Sequence, residues 1–312
     1  MNRRSWVLFT LMGVIWGTPY LFIRIGLRQL TPETMILFRC VLSVAVLLPA
    51  VVKERKVPLL FKHWFAFIIF AVVEIATPWY LIALAEEHIT SSLAGLLVAT
   101  VPTFGVIFAL AFRSEVRVSR IRLLGLLVGF IGVGVVIGID VGGANVASIA
   151  EALICASGYA LGPVILNRYL SEIPHATMVA GSLFLTMVIY LPFGITHLPS
   201  HLSASVVGSV IGLGVFCSAT GFMLFFALIR EVGPARATVV TYINPIVAVV
   251  AGMIFLNERF STGLAFGLPL VIVGSVLATL GATHETAANT PLINPVSAHE
   301  SEENQEQREV NY

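Results

Sequence analysis

The sequence predicts an all-α integral membrane protein of ten transmembrane helices, built as a 5+5 inverted-topology repeat. Composition, long apolar runs and a pattern that occurs twice together predict it. Of 312 residues, 57% are hydrophobic and 11% are charged. A water-exposed domain averages roughly 25% charged residues, so this chain cannot cover a surface facing water on all sides. The apolar residues form runs of the roughly 20 residues that a helix needs to cross ~30 Å of hydrocarbon. They fall at 6–23, 34–52, 64–84, 92–112, 121–139, 147–166, 176–195, 205–228, 235–256 and 262–281, here spans 1 to 10. The short-strand alternation of a membrane barrel is not seen in them.

The repeat is read from spacing. Pro102 is followed at the same interval by Glu115 as Pro245 is by Glu258, and Val106 and Phe112 recur as Val249 and Phe255. Ala83-Leu84 precedes the first copy much as Ala227-Leu228 precedes the second. A period of this size signals internal duplication. Five crossings per copy force the second copy to enter the bilayer from the opposite side, the arrangement by which many transporters build two-sided access. The expected divisions are a first repeat over 1–140, a second over 141–281, and a cytoplasmic tail over 282–312. The tail is rich in glutamate and poor in apolar clusters, a composition that favours disorder.

Orientation follows from the basic residues. With the N-terminus inside, the cytoplasmic side receives Arg3, Arg4, Lys53, Arg55, Lys56, Lys62, Arg113, Arg117, Arg120, Arg122, Arg168, Arg230, Arg236 and Arg308. The opposite side receives Arg24, Arg28 and Arg259. This asymmetry obeys the positive-inside rule with both termini cytoplasmic. The basic loops lack interleaved aromatics, so nucleic acid is not an expected partner. Arg3 and Arg4 precede an apolar run, but Pro19 sits where signal cleavage would fall, so span 1 reads as an uncleaved helix. Cys40, Cys155 and Cys217 all lie inside spans, as small apolar residues do.

Among 18 basic and 17 acidic side chains, only Arg39, Glu74 and Glu151 fall well inside spans. Charge in a bilayer costs roughly 2.5–3.5 kcal/mol on insertion scales, so such residues face a cavity or a partner. Arg39 and Glu151 lie ~7 Å and ~6 Å from the outer ends of their spans at 1.5 Å per residue, a shared level at which they would pair across the halves. Glu74 is at the midpoint of span 3, where a carboxyl suits a group that loads and releases a proton each cycle. The alternative for Glu74 is structural: a pair with Arg39 or a bond to a nearby backbone group.

Prolines inside spans free a carbonyl four residues back. Pro102 and Pro245, as a repeat-related pair, are expected to bend helices that line the path, and Pro78 frees the carbonyl of Glu74. Trp16 and Tyr20 share one face of span 1, Glu151, Cys155 and Tyr159 form a stripe on span 6, and Tyr242 and Asn244 precede Pro245. Trp79 and Tyr80 read as interfacial belt aromatics. Gly125, Gly129, Gly132, Gly134 and Gly138 in span 5, with Gly263, Gly267 and Gly274 in span 10, read as close-packing faces. Walker A, H-E-x-x-H and G-x-S-x-G patterns do not occur. His197 and His201 are separated by Pro199, which argues against a helical metal pair. An enzyme, a metal and a cofactor are not expected.

Trp16-Gly17, Arg39, Ala83-Leu84, Pro102, Glu115, Pro245, Glu258 and Gly274 together resemble the EamA-like group of the drug/metabolite transporter superfamily, over residues 5–281. The resemblance implies a basket of ten helices around a cavity lined chiefly by helices 1, 3, 4, 6, 8 and 9. It also implies export or exchange of small organic solutes without ATP. Glu115 and Glu258 sit at helix ends, where capping or gating is expected. The combined expectation is a multi-pass protein of the bacterial inner membrane, monomer or homodimer, that moves a small molecule such as an amino acid or drug-like amphiphile by alternating access. Proton coupling would run through Glu74. A non-transporting membrane sensor or scaffold is the competing class, and it would tolerate substitution of Glu74 and Trp16.

Overall fold

A computed structural model describes residues 3–111, 119–140, 146–232 and 237–289. Among them, eight helices are long and apolar enough to cross a membrane: α1 Arg3–Gly26, α2 Pro32–Glu54, α3 Trp64–Glu86, α4 Ser91–Phe108, α5 Arg120–Ile139, α6 Val146–Tyr169, α7 His175–Gly194 and α8 Ala204–Val232. Two apolar helices are shorter, α9 Val240–Leu256 and α10 Thr262–Ala278. The helix containing α10 continues to Asn289, past the expected start of the tail. Glu115 and most of the tail lie outside the described residues.

Helix ends follow local chemistry. Thr31 caps α2, its hydroxyl accepting from the Thr34 amide at 3.3 Å with Pro32 in the first turn. Thr90 caps α4 by accepting from Leu93 N at 3.2 Å. The chain leaves α2 through Arg55 (φ 52°) and α9 through Asn257 (φ 55°), both left-handed.

Contacts at the helix ends define two rims. At the first, Arg4 pairs with Glu231 at 2.8 Å, Ser5 donates to Glu231 at 3.0 Å, Thr177 Oγ1 donates to Glu54 at 2.6 Å, and Lys62 meets Glu172 at 3.0 Å. The lysine beside it holds the exposed Glu172 carboxyl below the usual carboxylate range. At the second rim, Arg24 donates to the Glu86 carbonyl. There Thr34 also donates to Gly194 O at 2.9 Å, and Ser203 N to Gln29 at 2.8 Å. The start of α1 and the end of α6 therefore share the first rim, so these two helices run in opposite directions.

The principal packing partners are α2 with α7, α4 with α9, and α5 with α10, while α1 lies on α8 and α9 and α6 lies on α3 and α4. Exchanging α1–α5 with α6–α10 returns the same pairings. The tightest contact joins α5 to α10. A Cβ on Gly125 would meet backbone atoms of Gly274 and Ala278, one on Gly132 would meet Val271 N, and one on Gly274 would meet the backbone of Gly129. Close backbone approach of this kind is what small residues allow between membrane helices. Gly134 and Gly138 depart from the expected packing face, because a Cβ at either meets nothing within 4 Å. They lie on the side of α5 turned away from α10.

Gly274→Val is therefore expected to destabilise the protein by about 1–3 kcal/mol or more through overpacking. Gly134→Val should stay within about 0.5 kcal/mol of the parent. Thermal melting of both variants in one detergent checks this, and equal melting would contradict the assigned interface.

Candidate functional site

Among the described residues five helices are interrupted: α1 between Gly17 and Pro19, and four others in two related pairs. In α3 the ladder widens to a π-helical segment at Ala71–Ala76, and in α8 at Gly212–Thr220. The step from Pro102 to Pro245 carries 71–76 onto 214–219, inside the second segment. In α4 the first piece ends at Val98 and the second starts at Val101, with Pro102 as its second residue. In α9 a 3₁₀ turn at Thr238–Tyr242 gives way to a helix starting at Asn244, with Pro245 second. Both repeat-related prolines thus begin a half-helix rather than bending a continuous one, because proline fits the first turn, where no amide bond is lost.

Widened and broken ladders leave carbonyls that the bilayer cannot hydrate. Side chains take them up. Trp16 Nε1 donates to Cys217 O at 3.2 Å, Ser43 Oγ to Gly214 O at 2.9 Å, and Ser218 Oγ to Leu213 O at 2.8 Å. In the first half, the Tyr190 hydroxyl donates to Ala76 O at 3.0 Å. Ser275 Oγ donates to Ala99 O at 2.8 Å across the α4 break, and Tyr242 donates to Ser275 O at 3.0 Å. Trp16 and Tyr242, expected as pocket residues, are anchored here to backbone carbonyls.

Arg39 is buried at 8% exposure. The expected pair with Glu151 is not formed. Its Nε instead donates to Ser218 Oγ at 2.8 Å, and its guanidinium carbon lies 3.3 Å from the centre of the Trp79 ring. Stacking on tryptophan and a neutral acceptor replace a carboxylate partner. Tyr159, Cys217, Cys40 and Tyr20 are its electrostatic neighbours. Trp79 is consequently a buried site residue at 4% exposure and not a belt aromatic, whereas Tyr80 stacks on Tyr190 at 5.8 Å between centroids.

Glu74 sits in the π segment of α3 and packs on Gly162 of α6, where a Cβ would collide with its carboxyl. Its Oε2 is buried with no hydrogen-bond partner, so the expected structural alternatives, a pair with Arg39 or a backbone bond, are not made by that oxygen. Tyr159 is an electrostatic neighbour of both Arg39 and Glu74. Tyr20 is buried where α1 passes α4, within 3.2 Å of the place a Cβ on Gly95 would take. Glu151 is half-buried with Oε2 unpartnered, and so is Asn244 with its Oδ1.

Sequence reasoning missed Trp79 and Glu86. Glu86 is fully buried, with both carboxylate oxygens unpartnered and Arg24 as an electrostatic neighbour. A signal existed: Ile75, Trp79, Ile82 and Glu86 recur at helical spacing and form one buried stripe of α3. At the second rim, Glu258 accepts from Ser91 N at 2.8 Å and Ser92 N at 3.0 Å, so it caps α4 as a helix-end glutamate should. Beside it a cavity of about 540 Å³ is lined by Arg24, Leu27, Arg28, Glu87, Thr90, Leu256 and Glu258.

Comparisons with known proteins agree with this architecture. The model of the EamA-like transporter family matches residues 4–138 and again 147–280. The "Uncharacterized inner membrane transporter YedA" of Escherichia coli K12 is 30% identical over 279 residues, covering 86% of this chain and 88% of the relative. The "Uncharacterized transporter YvbV" of Bacillus subtilis is 25% identical over 295 residues, covering 92% and 95%. The "Probable amino-acid metabolite efflux pump" of Escherichia coli K12 is 23% identical over 297 residues, covering 90% and 96%. A solved crystal structure superposes with a TM-score of 0.65 at 20% identity, over 91% of this chain and 99% of the other. The chain belongs to the EamA-like transporter family. It is a multi-pass membrane protein of a class that works in a lipid bilayer on small molecules, and its relatives are named as transporters rather than enzymes.

Removing the hydroxyl of Ser218 leaves the Arg39 Nε without its acceptor. Ser218→Ala is expected to cost about 1–3 kcal/mol, the range for an orphaned buried donor. Ser157→Ala, which removes only a local, solvent-exposed bond from a half-buried residue to Ile154 O, should be near neutral. Denaturation of both variants in the same detergent checks the difference.

Proposed function

We propose that the protein is a secondary transporter exporting a small organic metabolite, such as an amino acid or a drug-like amphiphile. It works by alternating access between two inverted five-helix halves, in the bacterial inner membrane with both termini cytoplasmic. The observation that carries this reading is the pairing of interrupted helices. Half-helices begin at Pro102 and Pro245, and π segments in α3 and α8 flank them at repeat-equivalent positions. Discontinuous helices at the repeat interface are where secondary transporters place their substrates. The efflux named for one relative supports the outward direction and the metabolite class.

In this mechanism the polar groups between the halves receive the solute, and one half rocks against the other. The second-rim contact of Glu258 with Ser91 and Ser92 joins the end of α9 to the start of α4, so it closes that side and must break for release outward. Proton coupling is assigned to Glu74. Its buried oxygen has no hydrogen-bond or ion-pair partner that would hold the carboxyl ionised, and it lies against a glycine of the opposite half.

Comparing metabolites in the media of overexpressing and deletion cells identifies the solute, which is then followed in proteoliposomes under an imposed pH gradient. Glu74→Gln should abolish gradient-driven flux with melting unchanged, while Glu151→Gln retains it. Full gradient-driven flux in Glu74→Gln would refute the coupling. Failure of any solute to move would refute transport itself.

A further inference from the structure

We propose that Arg39 is a substrate-carboxylate site, so that the transported solute is a monocarboxylate, whether an organic acid or the carboxylate end of an amino acid. The proposal rests on the transport reading for the solute's fate, but on Arg39 alone for its chemistry. A guanidinium carries five N–H donors and keeps its charge. The hydrogen bonds of the described residues engage one of them, Nε, with Ser218. Neither Nη nitrogen has a hydrogen bond or an ion pair among the described residues, and neither is among their sealed, unpartnered polar atoms. Both therefore look onto accessible space from a residue that is otherwise buried.

The rest of the side chain is held still. Trp79 covers one face of the guanidinium, Ser218 pins Nε, and Ser43 fixes the Arg39 carbonyl at 2.7 Å. Ser218 is itself oriented by donating to Leu213 O. The remaining Nη1–Nη2 edge presents two parallel donors, the fork that a planar carboxylate accepts in bidentate fashion. Tyr20 and Tyr159 are polar electrostatic neighbours of the guanidinium. None of its electrostatic neighbours is a protein carboxylate. A cation inside the bilayer with no ion pair among the described residues fits a site whose counter-ion arrives with the ligand. A single positive charge matches one negative charge, which favours a monocarboxylate over a phosphate.

The test uses the purified full-length chain in detergent and its melting temperature. The panel contains aliphatic and aromatic monocarboxylic acids and L-amino acids, each beside its primary amide and its decarboxylated amine, with inorganic phosphate as a further arm. At least one acid should stabilise the protein where its amide and amine do not. Its apparent affinity should fall by about tenfold or more in Arg39→Gln, as expected for losing charge-assisted bonds, and partly recover in Arg39→Lys. The acid-against-amide contrast on the unaltered protein stands even where Arg39→Gln fails to fold. Equal stabilisation by acid and amide, preference for phosphate, unchanged acid affinity in Arg39→Gln, or no response to any acid would overturn the proposal. Acid binding without flux in proteoliposomes would remove the transport reading and leave this site standing. Flux of a neutral or cationic solute without acid binding would do the reverse.

Discussion

A backbone carbonyl in hydrocarbon has no water to turn to, and that constraint organises this fold. Where the helical ladder is intact, the chain meets it without help. Where the ladder opens, in the π segments of α3 and α8 and at the break in α4, a partner from another helix is needed. Trp16, Ser43, Tyr190 and Ser275 supply those partners. Each ties one helix to another, so the groups that satisfy the openings also hold the bundle together. An opening costs several kcal/mol per unsatisfied group when unpartnered. The openings in α3 and α8 recur at related positions in the two halves, as the proposed mechanism requires.

The two halves share a frame and differ in chemistry. The step that relates Pro102 to Pro245 carries Glu74 onto Cys217 and Trp16 onto Tyr159. One π segment therefore holds a carboxyl with a free buried oxygen, while the other supplies Ser218 to the Arg39 guanidinium. Anion recognition and proton handling are thereby assigned to different sides of one centre, with Tyr159 in the electrostatic reach of both. In the proposed mechanism the shared frame lets the halves exchange roles in access, and the chemical difference between them selects the solute.

Much of this was legible in the sequence. Membrane class, the doubled proline-to-glutamate spacing and the singling out of Arg39, Glu74 and Glu151 needed only composition, period and the cost of charge in lipid. The partner of Arg39 was not legible. Depth placed Glu151 at its level, but depth says nothing about azimuth, and the arginine faces Trp79 and Ser218 instead. Trp79 was misread because an aromatic near a helix end has two common fates, and only the buried stripe it shares with Ile75, Ile82 and Glu86 separates them. Gly134 and Gly138 looked like their neighbours in α5, yet face away from α10. The π segments had no sequence signature beyond Pro78, since an i to i−5 bond, such as Thr77 N to Val72 O, depends on what packs beside it.

The central claim is that the halves move against each other about this interrupted centre. Double electron–electron resonance in lipid tests it directly, with one spin-label pair at Arg28 and Asn257 on the second rim and another at Lys56 and Arg230 on the first. All four residues are exposed, and the native Cys40, Cys155 and Cys217 are buried. The account predicts two distance populations for each pair, shifting in opposite senses when the pH or the transported solute is changed. A single distance at both rims, unmoved by either, would contradict it.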